Sequence, residues 1–187
     1  MSEKRGCLVI ISAPSGTGKT SVIQKLLERN PKMVHSVSCT TRSKRAGEVD
    51  GKDYHFISRQ EYQKRIAENR FAEWAQVHDF FYGTPKEPLQ KWLQQGVAVL
   101  LPIDVQGGMA LKKLFPKDSL TVFLLPPSEE ELKARLNKRQ TDSEEARKIR
   151  LQNAKKEMTY KDAYDFQVVN REIEEACLVI EELIKKR

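Results

Sequence analysis

Cysteine is scarce. Cys7, Cys39 and Cys177 are odd in number, far apart, and form no Cys-x-x-Cys pair. That excludes a disulfide-stapled fold and fits a reducing compartment. Cys7 and Cys177 lie in apolar patterns and are expected as buried thiols. His35, His55 and His78 have no ligand spacing, which argues against a zinc site. The chain lacks any apolar run long enough to span a membrane. Met1-Ser2-Glu3-Lys4-Arg5 leads into a short apolar run that is no secretory signal. A soluble, cytoplasmic protein is expected. Long blocks of like charge are missing too: Arg42-Ser43-Lys44-Arg45 and Lys185-Lys186-Arg187 are short, so there is no basic tail. Aromatic residues are only 7% of the chain and form no cluster, which argues against a stacking platform for nucleic acid. Internal repeats and long linkers are absent.

What remains is 187 residues, 39% hydrophobic and 32% charged, enough for one domain with a real core. The net charge of +7 leaves nucleic acid and small anions such as nucleotides both open.

One stretch organises the chain. Ser12-Ala13-Pro14-Ser15-Gly16-Thr17-Gly18-Lys19-Thr20-Ser21 follows the apolar run Cys7-Leu8-Val9-Ile10-Ile11 and precedes Val22, Ile23, Leu26 and Leu27 at helical spacing. Strand, glycine loop and helix form the context of a phosphate-binding loop. Gly16 and Gly18 let backbone N–H groups converge, and the helix adds its positive end. Lys19 is placed to reach terminal phosphates, and the Thr20 hydroxyl to hold Mg²⁺. Ala13 stands where the usual pattern begins with glycine.

A strand is expected over 7–11 and a helix over 19–30. Residues 34–38 alternate as a half-exposed strand should, and a basic loop follows from 40 to 52. Strands are expected over 53–57, 71–77 and 80–82, with a helix opened by the capping box Ser58-Arg59-Gln60-Glu61. Together they suggest an antiparallel lobe inserted into an α/β unit. Beyond it, helix is expected over 86–95, then a buried strand over 97–104 that ends in Asp104. Pro102 implies a strand end or bulge, because it cannot donate to a ladder. Further strands are expected over 120–125 and 166–170. Helices are expected from Gln106 to about 115, from Ser128 to about 138, over 143–158, and at the C-terminus. There Ile173, Ala176, Cys177, Ile180, Leu183 and Ile184 share one face. The alternation implies a parallel sheet with helices on both faces.

The run from Val37-Ser38-Cys39-Thr40-Thr41-Arg42 through Arg45, Gly47, Gly51 and Tyr54 closely resembles the nucleoside-monophosphate segment of guanylate kinases. Glu73-Trp74-Ala75, Tyr82-Gly83-Thr84, Ile103-Asp104-Val105-Gln106-Gly107 and the glycine loop resemble the same family, over essentially the whole chain. The resemblance implies a P-loop-type parallel sheet, with residues 1–33, 96–125 and 159–187 as core. It makes 34–95 a small mixed α/β lobe that binds GMP, and 126–158 a helical lid. It implies ATP-dependent phosphorylation of GMP to GDP with Mg²⁺. Ala13 to Ser21 and Asn170 match ATP contacts. Arg42, Arg45, Tyr54 and Tyr82 match groups that hold the GMP phosphate, and fork-shaped guanidiniums suit that anion. Glu73 matches the carboxylate that accepts from guanine N1–H and N2–H₂, with Ser38, Thr84 and Asp104 as further base contacts. Lys19, Arg42, Arg135, Arg139 and Arg150 match cations around the transferred phosphoryl group. Cys39 is a passive neighbour of the substrate loop.

Three further departures stand out. Pro102 replaces the first acid of Asp-x-Asp, which implies weaker metal binding or slower turnover. Lys138-Arg139-Gln140 replaces Gly-Arg-Gly, and Phe80 replaces a polar residue. The alternative within the resemblance is a guanylate-kinase-like domain that binds phosphorylated protein segments without catalysis. Such domains typically lose the loop lysine and glycines, and this chain keeps Lys19, Gly16 and Gly18.

Overall fold

The computed structural model describes residues 5–77, 79–137 and 144–187. Strand β1, Cys7–Ser12, is the middle of a five-stranded sheet. Helix α1, Lys19–Arg29, follows it, and then strand β2, Val34–His35. Strands β3 (Cys39–Thr40) and β4 (His55–Phe56), helix α2 (Arg59–Ala67) and strands β5 (Phe71–Val77) and β6 (Phe80–Pro85) come next. Helix α3, Lys86–Gln94, leads back to strand β7, Ala98–Pro102. Helix α4 (Val105–Leu114), strand β8 (Ser119–Leu125), helices α5 (Glu129–Asn137) and α6 (Glu144–Met158), strand β9 (Phe166–Val169) and helix α7 (Ile173–Lys185) complete the chain.

The large sheet has the order β2-β7-β1-β8-β9 and is parallel throughout. Leu8 to Ile11 are fully buried, as expected for a strand covered on both faces. The period of two divides them. Val9 and Ile11 pack with Val22, Ile23 and Leu26 of α1 and Ala176, Cys177 and Ile180 of α7. Leu8 and Ile10 pack with Leu89 and Leu93 of α3 and Leu111 of α4. Each such side chain contributes roughly 1.5–3 kcal/mol on burial. The loop after β1 therefore emerges at the carboxyl edge of the sheet, beside the end of β7, where open α/β sheets bind their ligands.

The second sheet, β4-β3-β6-β5, rests on α2 through Tyr62, Phe71, Cys39 and Phe81. The Tyr62 hydroxyl donates to the Tyr82 carbonyl at 2.8 Å and ties that strand to the helix.

Four expectations need correction. The stretch 34–38 is strand only at Val34–His35, and this pair joins β7 of the large sheet. Cys39–Thr40, expected at the start of the basic loop, is strand, because it pairs with both β4 and β6. The lobe is mixed and not antiparallel, since β3 and β4 run parallel. Cys7 is half-buried at the end of β1, whereas Cys177 is fully buried. Pro102 closes β7 opposite Ile11, at the strand end its missing N–H demands. Both serines cap their helices: Ser58 accepts from the Glu61 N–H and Ser128 from the Glu131 N–H, while the Glu61 and Glu131 carboxylates turn to Arg65 and Arg135. Among the described residues no helix is long and apolar enough to cross a membrane.

One polar cluster locks α1 to α7. The Arg29 guanidinium donates to both Glu181 oxygens at 2.8 and 3.0 Å, and the Asn30 amide donates to the same carboxylate at 2.7 Å. The Arg29 bonds hold the Glu181 carboxyl down at about 2, from an ordinary 4.5. This contribution is complete above the unfolded value and is lost as pH falls through the folded one. Urea unfolding from pH 6 down to pH 2 should show wild type losing stability below about pH 4.5, with Glu181→Gln lacking that part of the loss.

Candidate active site

Gly18 ends the loop with φ +91°, a left-handed conformation that glycine adopts without cost, and α1 starts at the next residue. A Cβ there would lie 2.8 Å from the Asn170 amide nitrogen. That amide donates to the Thr17 carbonyl at 2.7 Å, so Asn170, buried just beyond β9, braces the loop from behind. Ser12 lies at the foot of the loop and donates to the carbonyls of Ile103 at 3.0 Å and Asp104 at 3.2 Å. Ala13 and Pro14 are buried, and Ser15, Thr20 and Ser21 are exposed. The Lys19 ammonium donates to the Ile103 carbonyl at 3.0 Å. Burial lowers its pKa, against the opposing pull of Glu157 and Asp104.

A cleft of about 200 Å³ opens between the phosphate loop and the small sheet. Lys19, Ser38, Tyr54, Glu73, Tyr82 and Asp104 line it, all expected at the nucleotides, together with Ala75, Val77, Pro102 and Ile103. Glu73 lies on β5 opposite Thr84 of β6, whose hydroxyl donates to its carboxylate. Burial, with the nearby Asp104 charge, raises the Glu73 carboxyl to about 7. Gly107 closes the far side: a Cβ there would come within 2.9 Å of Glu73 Oε2. Asp104 is the N-cap of α4, and its Oδ1 accepts the Gly107 N–H at 2.8 Å.

Arg42 is 8% exposed, its guanidinium carbon 5.5 Å from the Tyr54 ring centre. Tyr54 meets Tyr82 edge-on at 5.8 Å between ring centres. Glu48 takes both Arg42 nitrogens, at 3.0 and 2.7 Å, and the Arg45 N–H at 2.8 Å. The Arg42 guanidinium holds the Glu48 carboxyl at about 2. Asp50 and Asp53 fix the rest of the loop by accepting the N–H groups of Phe56 and Val49. The Arg45 side chain is exposed. Cys39 is buried beside Arg65, and burial pushes its thiol up, as suits an unreactive group.

Helices α5 and α6 lie over the loop. Leu132 and Leu136 pack against Gly16, and Arg135 donates to the Thr17 carbonyl at 3.4 Å and to Glu131. Glu157 Oε2 accepts the Ser15 N–H at 3.4 Å. Arg150 is half-buried on α6, and Arg139 lies outside the described residues. Glu48 and Gly107 lay in runs that resemble the family but had no role assigned to them from sequence, and Glu157 was not singled out. Glu48 carried a weak signal, three residues after Arg45. Glu157 carried none, because its helix is rich in Glu and Lys like any solvated face.

Gly18→Ala should cost about 1–2 kcal/mol from the left-handed backbone alone. The clash with Asn170 adds to that. Denaturant unfolding checks the loss, and Gly18→Ala/Asn170→Ser should recover part of it.

A family model described as "Guanylate kinase" matches residues 5–187. The guanylate kinase of Carboxydothermus hydrogenoformans is 44% identical, over 98% of this chain and 92% of its own length. That of Caldanaerobacter subterraneus is 44% identical, over 97% of this chain and 88% of its own. The crystal structure of guanylate kinase from Anaplasma phagocytophilum superposes with a TM-score of 0.82 at 34% identity, over 98% of this chain and 87% of that one. The match runs from the phosphate loop to the last helix, through every element that lines the cleft, and the chain belongs to the guanylate kinase family.

Proposed function

We propose that this chain transfers the γ-phosphoryl group of ATP to GMP, giving ADP and GDP. The observation that carries this reading is the cleft that brings Lys19 of the phosphate loop together with Glu73, Tyr54 and Tyr82 of the small sheet. In the division this implies, 1–33, 96–125 and 159–187 form the core, 34–95 the GMP lobe and 126–158 the lid.

ATP lies against Ala13 to Ser21, its phosphates on backbone N–H groups of the loop after Pro14, with Lys19 leaving the Ile103 carbonyl for the terminal phosphates and Asn170 bracing the loop near the adenine. The GMP phosphate lies among Arg42, Arg45, Tyr54 and Tyr82. Glu48 holds Arg42 in a fixed fork, so little side-chain freedom is lost on binding. Guanine presents N1–H and N2–H₂ to the two oxygens of Glu73, with Ser38, Thr84 and Asp104 around it. Adenine has an unprotonated N1 there and leaves a buried carboxylate unpaired, a mismatch that costs a factor of about 10⁴ or more at sites of this kind.

The acceptor is an anionic phosphate, so no base is required. Positioning and charge neutralisation by Lys19, Arg42, Arg135, Arg139 and Arg150 carry the transfer. Among the described residues no three His, Cys, Asp or Glu side chains cluster as a metal site. That fits Mg²⁺, which keeps its waters and binds mainly through substrate phosphates, here with the Thr20 hydroxyl as protein ligand. Mg²⁺ supplies charge neutralisation on the phosphate oxygens when bound. ATP and GMP are the partners in this reading, with no nucleic acid or membrane, and three free thiols fit a cytoplasmic setting.

ADP release measured with GMP, AMP, UMP and CMP should show turnover with GMP, and none above ATP alone overturns the proposal. Lys19→Ala should lower turnover by about two to three orders of magnitude. Glu73→Ala should relax base choice. The raised Glu73 carboxyl makes GMP affinity fall as pH drops below about 7, because protonation removes an acceptor. Calorimetric titration from pH 8 to 6 should show a steeper fall for wild type than for Glu73→Gln, whose remaining pH dependence is that of the GMP phosphate with its second pKa of about 6. Pro102→Asp should tighten Mg²⁺–ADP binding in the same assay.

A further inference from the structure

The phosphate loop already has a carboxylate on it. Glu157, 142 residues further along the chain, directs Oε2 at the Ser15 N–H across 3.4 Å. It is half-buried, while its neighbours Lys155 and Lys156 are exposed. A carboxylate withdrawn from water needs compensation. The groups available to it are the loop N–H and the Lys19 charge, with Asp104 opposing. Lys19 in turn is desolvated and draws on the same two acids. Contacts from α5 hold the adjoining helix close, through Leu132 and Leu136 on Gly16. A glycine loop that collects N–H donors for phosphate oxygens serves a carboxylate oxygen by the same chemistry.

We propose that Glu157 is a positioning residue that engages the Ser15 N–H between turnovers, offsets the charge of Lys19, and gives way to the phosphates of an incoming nucleotide. This rests on the reading of the loop as the ATP site. Two consequences follow from charge alone. A fixed negative group at the loop opposes a polyanion, so Glu157 weakens ADP and ATP binding more than GMP binding. The opposition is electrostatic, so salt screens it.

The test is calorimetric titration of Mg²⁺-free ADP into the whole chain at low and at high salt, with GMP titrated separately. E157Q keeps the shape and removes the charge. It should bind ADP about three- to tenfold tighter than wild type at low salt, with a smaller difference at high salt and a smaller change in GMP affinity. E157D draws the carboxylate back by one methylene and should give a smaller gain, which decides the matter if E157Q does not fold. A purely structural role predicts equal or weaker ADP binding in both variants, and that result overturns the proposal. A wild-type chain that takes up no ADP overturns the nucleotide reading itself, and this inference with it.

Discussion

The Lys19 ammonium donates to the Ile103 carbonyl across 3.0 Å, and that bond joins the loop leaving β1 to the end of β7. Its geometry is only as good as the register beneath it. Leu8 to Ile11 pair in order with Val99 to Pro102, and every side chain of that run is buried on one face or the other. A slip of one residue would turn Leu8 and Ile10 toward α1 and α7, and Val9 and Ile11 toward α3 and α4. The apolar strand thus acts on function through position. It delivers the phosphate loop, Lys19 and the Asp104 cap to one edge of the sheet, facing the small lobe.

Across the cleft the charges are held before any ligand arrives. Arg42 is fixed by Glu48, and Glu73 by Thr84, with Gly107 leaving just enough room. In the proposed function such groups do not have to reorganise when a phosphate or a guanine edge arrives, and this is where enclosed polar sites gain most. The same enclosure perturbs the acids. Glu48, beside a guanidinium, stays ionised far into acid, whereas Glu73, desolvated and near Asp104, sits near neutrality. Two carboxylates in one lobe thus have opposite tendencies, one held ionised by a cation and one raised by burial.

The parts of this site legible in the sequence are those that local chemistry determines. The apolar run, Gly16, Gly18 and Lys19 are contiguous, so strand, loop and helix follow from pattern alone. Arg42, Tyr54 and Glu73 were legible through family resemblance, and the cleft lining includes Tyr54 and Glu73. Long-range pairing was not legible. Cys39–Thr40 looks like the start of a polar loop and becomes strand only because β4 and β6 flank it. The parallel β3–β4 pair made the lobe mixed for the same reason. Asp104 was expected as an acid at a strand end, but its role as cap of α4 depends on Gly107 N–H coming within 2.8 Å. Glu157 could not be singled out at all, since only the fold carries it to Ser15.

In the proposed function one cleft selects guanine through Glu73 and holds the acceptor phosphate through Arg42 and the two tyrosines. A crystal structure of the chain with GMP bound tests it most directly. The expected result is N1–H and N2–H₂ of guanine on the Glu73 carboxylate and the phosphate among Arg42, Arg45, Tyr54 and Tyr82. GMP bound elsewhere, or with its base away from Glu73, would contradict it.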